Sequence, residues 1–330
     1  ITVCPCCKFS GGAWDVEPIA KQLKETLAES PLLDQMPRKF KISFAGCNDP
    51  QSRPFANDLS FTALSEETVK VAGAGSLGAR PETGIVLYES LSIDDIVPLT
   101  IAALKLFIEH GDRENRRKAR LRHVRQRLGD SGFMELLNEY FGKEKKEPQG
   151  KMPALSRGGS STKKIATIQT VGGNLDVEDA LLLAETVENA GAGMRINLEH
   201  GIDIFGEREI EFGEQLSRFI GLPVIVACPG NTTCPNGIVD CPQTAERLSE
   251  ELKGSEGIEN KTICISGCPN GCAHTAIADI GLTGHLKTVD GKLLAAFKLL
   301  VGGDNAKTSK LAEKKGVVLD KDVADTIDDG

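Results

Sequence analysis

One pattern of apolar and polar positions occurs twice along the chain. Lys41-Ile-Ser-Phe-Ala-Gly-Cys47 and Thr262-Ile-Cys-Ile-Ser-Gly-Cys268 are each an apolar run closing on a small residue, Gly, Cys and a polar turn. Such β-rich apolar runs bounded by turn residues predict strands. Downstream, Ala56-Asn-Asp-Leu-Ser-Phe61 echoes Ile277-Ala-Asp-Ile-Gly-Leu282. Upstream, Ile1-Thr-Val-Cys-Pro5 echoes Val226-Ala-Cys-Pro229, and each is followed by apolar positions at helical spacing, over Val16–Leu27 and Thr244–Leu252. Cys4 and Cys47 are 43 positions apart, and Cys228 and Cys268 are 40 apart. The chain therefore holds two copies of one α/β unit.

Gly142–Lys164, rich in Lys, Gly, Ser and Pro, reads as a linker or exposed loop. Beyond it the pattern predicts a strand (Ile165–Val171), a helix (Val177–Ala190) and a strand (Arg195–Phe205). The expected organisation is a first α/β repeat over 1–142, a linker over 143–163, a βαβ half domain over 164–222 and a second repeat over 223–330. The fold class is α+β. Symmetry predicts a matching βαβ piece ahead of Ile1.

Composition changes this picture little. The 330 residues leave room for two or three cores. A net charge of −8 argues against nucleic acid as a partner. No apolar run is long enough for a membrane span, and no signal peptide is visible.

The ten cysteines change it more. They are clustered rather than spread as in a disulfide scaffold, which points to metal ligation in a reducing, cytoplasmic setting. Cys228-Pro-Gly-Asn-Thr-Thr-Cys234 is C-x5-C, and Cys268-Pro-Asn-Gly-Cys272 is C-x3-C. Two turn-borne thiolate pairs suit a cubane, in which each iron takes one soft sulfur ligand. Gly and Pro at both turns free backbone N–H groups to point at sulfur. Zinc is the structural alternative, although its usual spacings are shorter than x5. Cys241 and Cys264 read as small buried apolar residues. Cys4, Cys6, Cys7 and Cys47 sit in the first copy where the ligand pairs sit in the second, so a further metal site there is an open possibility.

The two cysteine pairs, in this order and spacing, resemble the signature of the sirohaem and [4Fe–4S] sulfite and nitrite reductases. Pro37-Arg-Lys-Phe-Lys41, Ala56-Asn-Asp58 and Asn115-Arg-Arg-Lys-Ala-Arg120 fall where that family has similar runs. The resemblance implies ferredoxin-like βαβ halves around a cofactor cleft, with Cys228, Cys234, Cys268 and Cys272 holding the cluster. Cys272 would also bridge to the sirohaem iron. It further implies that Lys39 and Lys41 bind and protonate the substrate anion, and that Asn57, Asn115, Arg116, Lys118 and Arg120 serve the macrocycle carboxylates. Two more anion-binding arginines are expected ahead of Ile1.

Residue chemistry is compatible with these roles. Arg113–Arg127 carries eight Lys or Arg in fifteen residues. On a helix, Arg113, Arg116, Arg117 and Arg120 would share one face. Lys39 and Lys41 alternate along a predicted strand, so both leave the same face. An ammonium among other cations has a depressed pKa and can deliver protons. Lys41 resembles the sulfite-reducing members, whereas Gly230-Asn231 and Leu198-Glu199 resemble the nitrite enzymes; the balance falls to sulfite. The expected partners are a small anion and an electron donor such as ferredoxin or a reductase subunit, with neither nucleic acid nor membrane. A precorrin oxidoreductase on the same scaffold and a non-catalytic iron–sulfur electron-transfer protein are the alternatives.

Overall fold

The computed structural model describes residues 1–5, 13–47, 51–147, 150–158, 162–259 and 261–328. Two compact units divide it. One comprises Ile1–Ser76, Glu82–Gly159 and Lys307–Ser309; the other comprises Leu77–Pro81, Ser160–Ala306 and Lys310–Gly330.

The first unit is built from β1 (Thr2–Val3), β2 (Trp14–Asp15), α1 (Glu17–Ala28), β3 (Ile42–Ala45), β4 (Leu59–Ala63), β5 (Thr68–Gly73), β6 (Ile85–Ser92), α2 (Ile96–His110), α3 (Leu121–Glu144) and β7 (Ser156–Arg157). Its main sheet has the order β1-β3-β4-β5-β6. β1/β3 and β3/β4 are parallel, while β4/β5 and β5/β6 are antiparallel. Every residue of β3 is buried, as expected for a parallel strand covered on both faces. α1 begins with Glu17-Pro18, an acid and a proline suited to a first turn, and buries Ile19, Ala20, Leu23 and Leu27 along one stripe.

The second unit contains β8 (Lys163–Gln169), α4 (Val177–Asn189), β9 (Gly193–Ile196), β10 (Gly201–Gly206), α5 (Glu214–Ser217), β11 (Val224–Ala227), α6 (Cys241–Glu251), β12 (Thr262–Ser266), β13 (Ile280–Val289), β14 (Lys292–Val301), β15 (Glu313–Leu319) and α7 (Val323–Asp328). Its five-stranded sheet, β11-β12-β13-β14-β15, repeats the pattern of the first: two parallel pairs, then two antiparallel ones.

The likeness extends to single hydrogen bonds. Cys4 N donates to Phe44 O at 2.9 Å, and Cys228 N to Ile265 O at 3.0 Å. Trp14 N donates to Gly46 O and Ile238 N to Gly267 O, both at 2.8 Å. Arg53 and His274 both take positive φ, 54° and 66°. Asp58 Oδ2 accepts from Lys41 N at 2.7 Å, as Asp279 Oδ2 accepts from Thr262 N at 2.9 Å. These bonds define the equivalences used below: Cys4 with Cys228, Gly46 with Gly267, Cys47 with Cys268, and Asp58 with Asp279.

Three expectations need correction. Arg195–Phe205 is not one strand but an antiparallel hairpin, β9 and β10. Asn197 Oδ1 accepts from Glu199 N and Gly201 N, and His200 takes φ 61°, so the side chain substitutes for the ladder and turns the chain. The 143–163 segment is not a solvated linker throughout. Met152 and Leu155 are buried in the first core, Met152 N donates to Asp94 Oδ1, and β7 pairs with β2. Finally, Arg113–Arg120 is not helical. Asp112 Oδ1 accepts from Glu114 N and Asn115 N just beyond α2, and Asn115 Oδ1 caps a 3-10 turn, Arg116–Lys118, by accepting from Arg117 N. Side chains that close turns on the backbone compete with the helix, so the four arginines share no helical face.

Asp58 is fully buried and Arg120 nearly so, with Arg120 Nη2 donating to Asp58 Oδ2 at 2.6 Å. Burial pushes the Asp58 carboxyl above the ordinary carboxylate range, against the pull of the Arg120 guanidinium. Asp58→Ala would strand a buried guanidinium and the Lys41 N–H, and is expected to destabilise the protein by about 3 kcal/mol or more. Urea unfolding measures this; an unchanged midpoint would show that the pair contributes nothing.

Candidate cluster and anion sites

In the second unit, β11 and β12 run parallel and deliver Cys228 and Cys268 from adjacent strand ends. The chain after Cys228 folds into a short 3-10 turn at Gly230–Thr232, and Cys234 N donates back to Gly230 O at 3.2 Å. The turn after Cys268 is tied to its strand by Ala273 N, which donates to Ser266 Oγ at 3.0 Å. Cys228, Cys234, Cys268 and Cys272 all line one cavity of about 90 Å³. Cys268 is buried, Cys228 and Cys234 are half-buried, and Cys272 is the exposed member.

Four glycines shape this cavity by backbone-to-backbone packing. A Cβ on Gly267 would lie 2.7 Å from Gly230 Cα, one on Gly237 would lie 2.2 Å from Gly230 C, and one on Gly284 would lie 2.4 Å from Gly267 O. Gly230 has φ 58°, and a Cβ there would meet Val239 O at 2.3 Å. The packing brings amides to sulfur: Gly267 N donates to Cys228 Sγ at 3.1 Å and Gly230 N at 3.4 Å. Cys241 Sγ lies 3.9 Å from Cys228 Sγ. The Cys241 thiol, then the Gly267 and Gly230 N–H groups, draw the Cys228 thiol down to about 5 despite its burial, while the same pairing pushes the Cys241 thiol up. The lowered pKa favours the Cys228 thiolate, the form that ligates metal.

The donor set fits a cluster. Four cysteine thiols line the one cavity, and a donor set of soft sulfurs suits iron that takes one thiolate per metal.

The first unit holds the basic residues. A cavity of about 550 Å³ is lined by Arg38, Lys39, Phe40, Arg116 and the apolar Leu33 and Met36. Burial, followed by the like charges of Arg116 and Arg120, lowers the pKa of the Arg38 guanidinium. Three guanidiniums gathered this way favour an anion. Lys39 and Lys41 are exposed in the extended segment leading into β3, which begins one residue after Lys41. Arg120 Nε is buried without a hydrogen-bond acceptor among the described residues, a donor that a macrocycle carboxylate would satisfy.

The other expected cofactor residues have different surroundings. The Asn57 amide nitrogen is committed within the chain, to Ser43 Oγ, Ser52 O and Arg53 O. It braces the turn before β4. Asn115 caps its own 3-10 turn, and Lys118 is exposed. Cys264 is fully buried in an apolar cluster. Cys241 is buried too, but its contact with Cys228 gives it a role that spacing alone did not reveal. Sequence reasoning also passed over Arg38, although it lies inside the Pro37–Lys41 run. In the first repeat, Cys4 Sγ and Cys47 Sγ are 3.8 Å apart; Cys6 and Cys7 lie outside the described residues, so the idea of a further metal site rests on sequence alone.

A duplicated α+β scaffold that presents four thiols around one cavity belongs to the class of cysteine-ligated cofactor proteins. The profile of the nitrite and sulphite reductase 4Fe-4S domain matches residues 1–145 and 221–329. The chain therefore belongs to the nitrite and sulphite reductase family, whose members bind a [4Fe–4S] cluster and sirohaem. It is similar to the chloroplastic ferredoxin–nitrite reductase of Arabidopsis thaliana, with 28% identity over 350 residues, covering 92% of this chain and 58% of that protein. It is also similar to the sulfite reductase [NADPH] hemoprotein beta-component of Acidithiobacillus ferrooxidans, with 28% identity over 310 residues, covering 82% and 53%. The chain thus spans little more than half the length of these relatives. The fold matches the structure of the Mycobacterium tuberculosis NirA protein with a TM-score of 0.78 at 19% identity, covering 99% of this chain and 66% of that one.

A Cβ on Gly284 would collide with the Gly267 backbone, whose N–H donates to Cys228 Sγ. Gly284→Ala is therefore expected to lower iron per chain while the circular-dichroism spectrum stays native. Wild-type iron content in that variant would show that the glycine packing does not govern the pocket.

Proposed function

We propose that this chain carries the reducing centre of a six-electron reductase acting on sulfite, or on nitrite in its place. In this reading Cys228, Cys234, Cys268 and Cys272 ligate the cluster. The reading rests first on one observation: all four thiols line a single cavity in a chain of this family. When bound, the cluster and sirohaem supply electron transfer and a reducible iron, and the protein supplies binding, protons and potential.

Each protein group has a definable task. Cys241 and two amides favour the Cys228 thiolate, and hydrogen bonds to ligand sulfur raise a cluster's potential. Cys272, the exposed thiol of the four, is suited to the second contact that the family resemblance implies for it. Arg38, Arg116 and Arg120 form the positive site for macrocycle carboxylates, where charge-assisted hydrogen bonds are strong. Lys39 and Lys41, exposed and adjacent to that site, bind the anion and hold protons at Nζ for delivery. The physiological electron donor is proposed to be ferredoxin or a reductase subunit, since one relative is named for ferredoxin and another, a hemoprotein beta-component, for NADPH.

The absorbance spectrum tests the cofactor assignment, since sirohaem adds Soret and red bands to the broad shoulder of a cluster. Cys268→Ser is expected to lose iron and turnover; about four cluster irons with an unchanged spectrum would refute the ligand set. Cys241→Ala should keep its iron but shift the cluster potential to more negative values in redox titration. Lys39→Met is expected to lose turnover by about a hundredfold or more while retaining sirohaem absorbance. Loss of the cofactor in that variant would move Lys39 from the anion to the macrocycle. With reduced viologen as donor, Lys41→Asn should move the preference from sulfite towards nitrite.

A further inference from the structure

Two described thiols of the first repeat sit where ligand thiols sit in the second, and the proposed reductase chemistry does not use them. Cys4 follows β1 as Cys228 follows β11, and Cys47 follows Gly46 as Cys268 follows Gly267. The two sulfurs of the first repeat lie in contact, at 3.8 Å. Their backbones are fixed on both sides. Cys4 N donates to Phe44 O at 2.9 Å, and Trp14 N donates to Gly46 O, next to Cys47, at 2.8 Å. A Cβ on Gly46 would lie 1.8 Å from Trp14 O, so the strand end cannot back away with an ordinary residue there.

We propose that Cys4 and Cys47 are a modification site: a dithiol that closes to a disulfide under oxidation and reopens under thiol reductant. Bond formation needs the sulfurs to approach from 3.8 Å to about 2.05 Å, a movement that side-chain torsions can supply. The thiols also differ in access, Cys4 being 1% exposed and Cys47 half-buried. With a small-molecule disulfide of the glutathione type as oxidant, the Cys47 thiolate attacks one sulfur of that disulfide and expels one small thiolate. The Cys4 thiolate then attacks Cys47 in the mixed disulfide and expels the second. Two protein thiols are oxidised by two electrons, one small disulfide is reduced to two thiols, and the two thiol protons go to the departing thiolates. The bond ties β1, a two-residue strand, to the far end of β3, the strand led by Lys41.

The test uses the cofactor-loaded chain, purified reduced and then exposed to oxidised glutathione. Iodoacetamide blocks the remaining thiols, and peptide mapping by mass spectrometry follows. Cys4 and Cys47 should lose alkylation together and in equal amount, appearing as one cross-linked peptide pair lighter by two hydrogens, and dithiothreitol should restore both. Cys4→Ser should instead leave Cys47 as a stable glutathione adduct, and Cys47→Ser should leave Cys4 unmodified, with cluster absorbance unchanged in both variants. The proposal is overturned if both cysteines still alkylate fully after oxidation. It is equally overturned if Cys4 pairs with Cys6 or Cys7, or if a persistent adduct remains on wild-type Cys47. A reduced sample in which both thiols resist alkylation until a chelator strips zinc or iron would show a metal site instead.

Discussion

The cluster pocket depends on backbones packed closer than any side chain allows. Gly230, Gly237, Gly267 and Gly284 come from the C-x5-C turn, the loop after it, the end of β12 and the middle of β13, and each would place a Cβ within 2.7 Å of another segment's or its own turn's backbone. This stacking lets Gly230 N and Gly267 N both reach Cys228 Sγ, and after the Cys241 thiol these amides favour the Cys228 thiolate. Part of the thiol's electrostatics therefore follows from the strand packing. Dispersion and hydrogen bonding hold the segments together, and the absence of four Cβ atoms lets them meet.

Duplication preserved this frame and changed what it carries. The same carboxylate position caps the strand opening in both repeats, but Asp58 is paired with Arg120 and Asp279 with the neutral Asn305 amide. A buried acid needs a partner, and either a cation or an amide satisfies it. The first repeat chose the cation, and that choice brings a guanidinium close to Arg38 and Arg116. The anion-favouring region is thus partly a consequence of how a structural aspartate is neutralised. Among the described residues, four thiols surround a cavity in one repeat, and Cys4 and Cys47 are in mutual contact in the other.

The basic segment between α2 and α3 shows how side chains can override periodicity. Its spacing is that of a helical face, yet Asp112 and Asn115 each take backbone amides into local turns, and the helix does not form. The arginines consequently take separate tasks. Arg113 donates to Gln35 O, Arg120 to Asp58, and Arg116 lines the basic cavity.

The sequence by itself determined the repeat, the α+β class and the strands β3 and β12, because all of these are written in short-range spacing. Strand and turn patterns need only neighbours along the chain. The tertiary structure decided what depends on distant segments meeting. Cys241 could be read as a buried apolar residue, because its contact with Cys228 arises only when α6 packs against the end of β11. Asn57 could be assigned to a ligand, because its three acceptors become apparent only once the turn before β4 is folded. The split of Arg195–Phe205 into a hairpin rests on one Asn side chain competing with the ladder. Whether Cys4 and Cys47 touch is fixed by the register of β1 against β3, which apolar spacing does not encode.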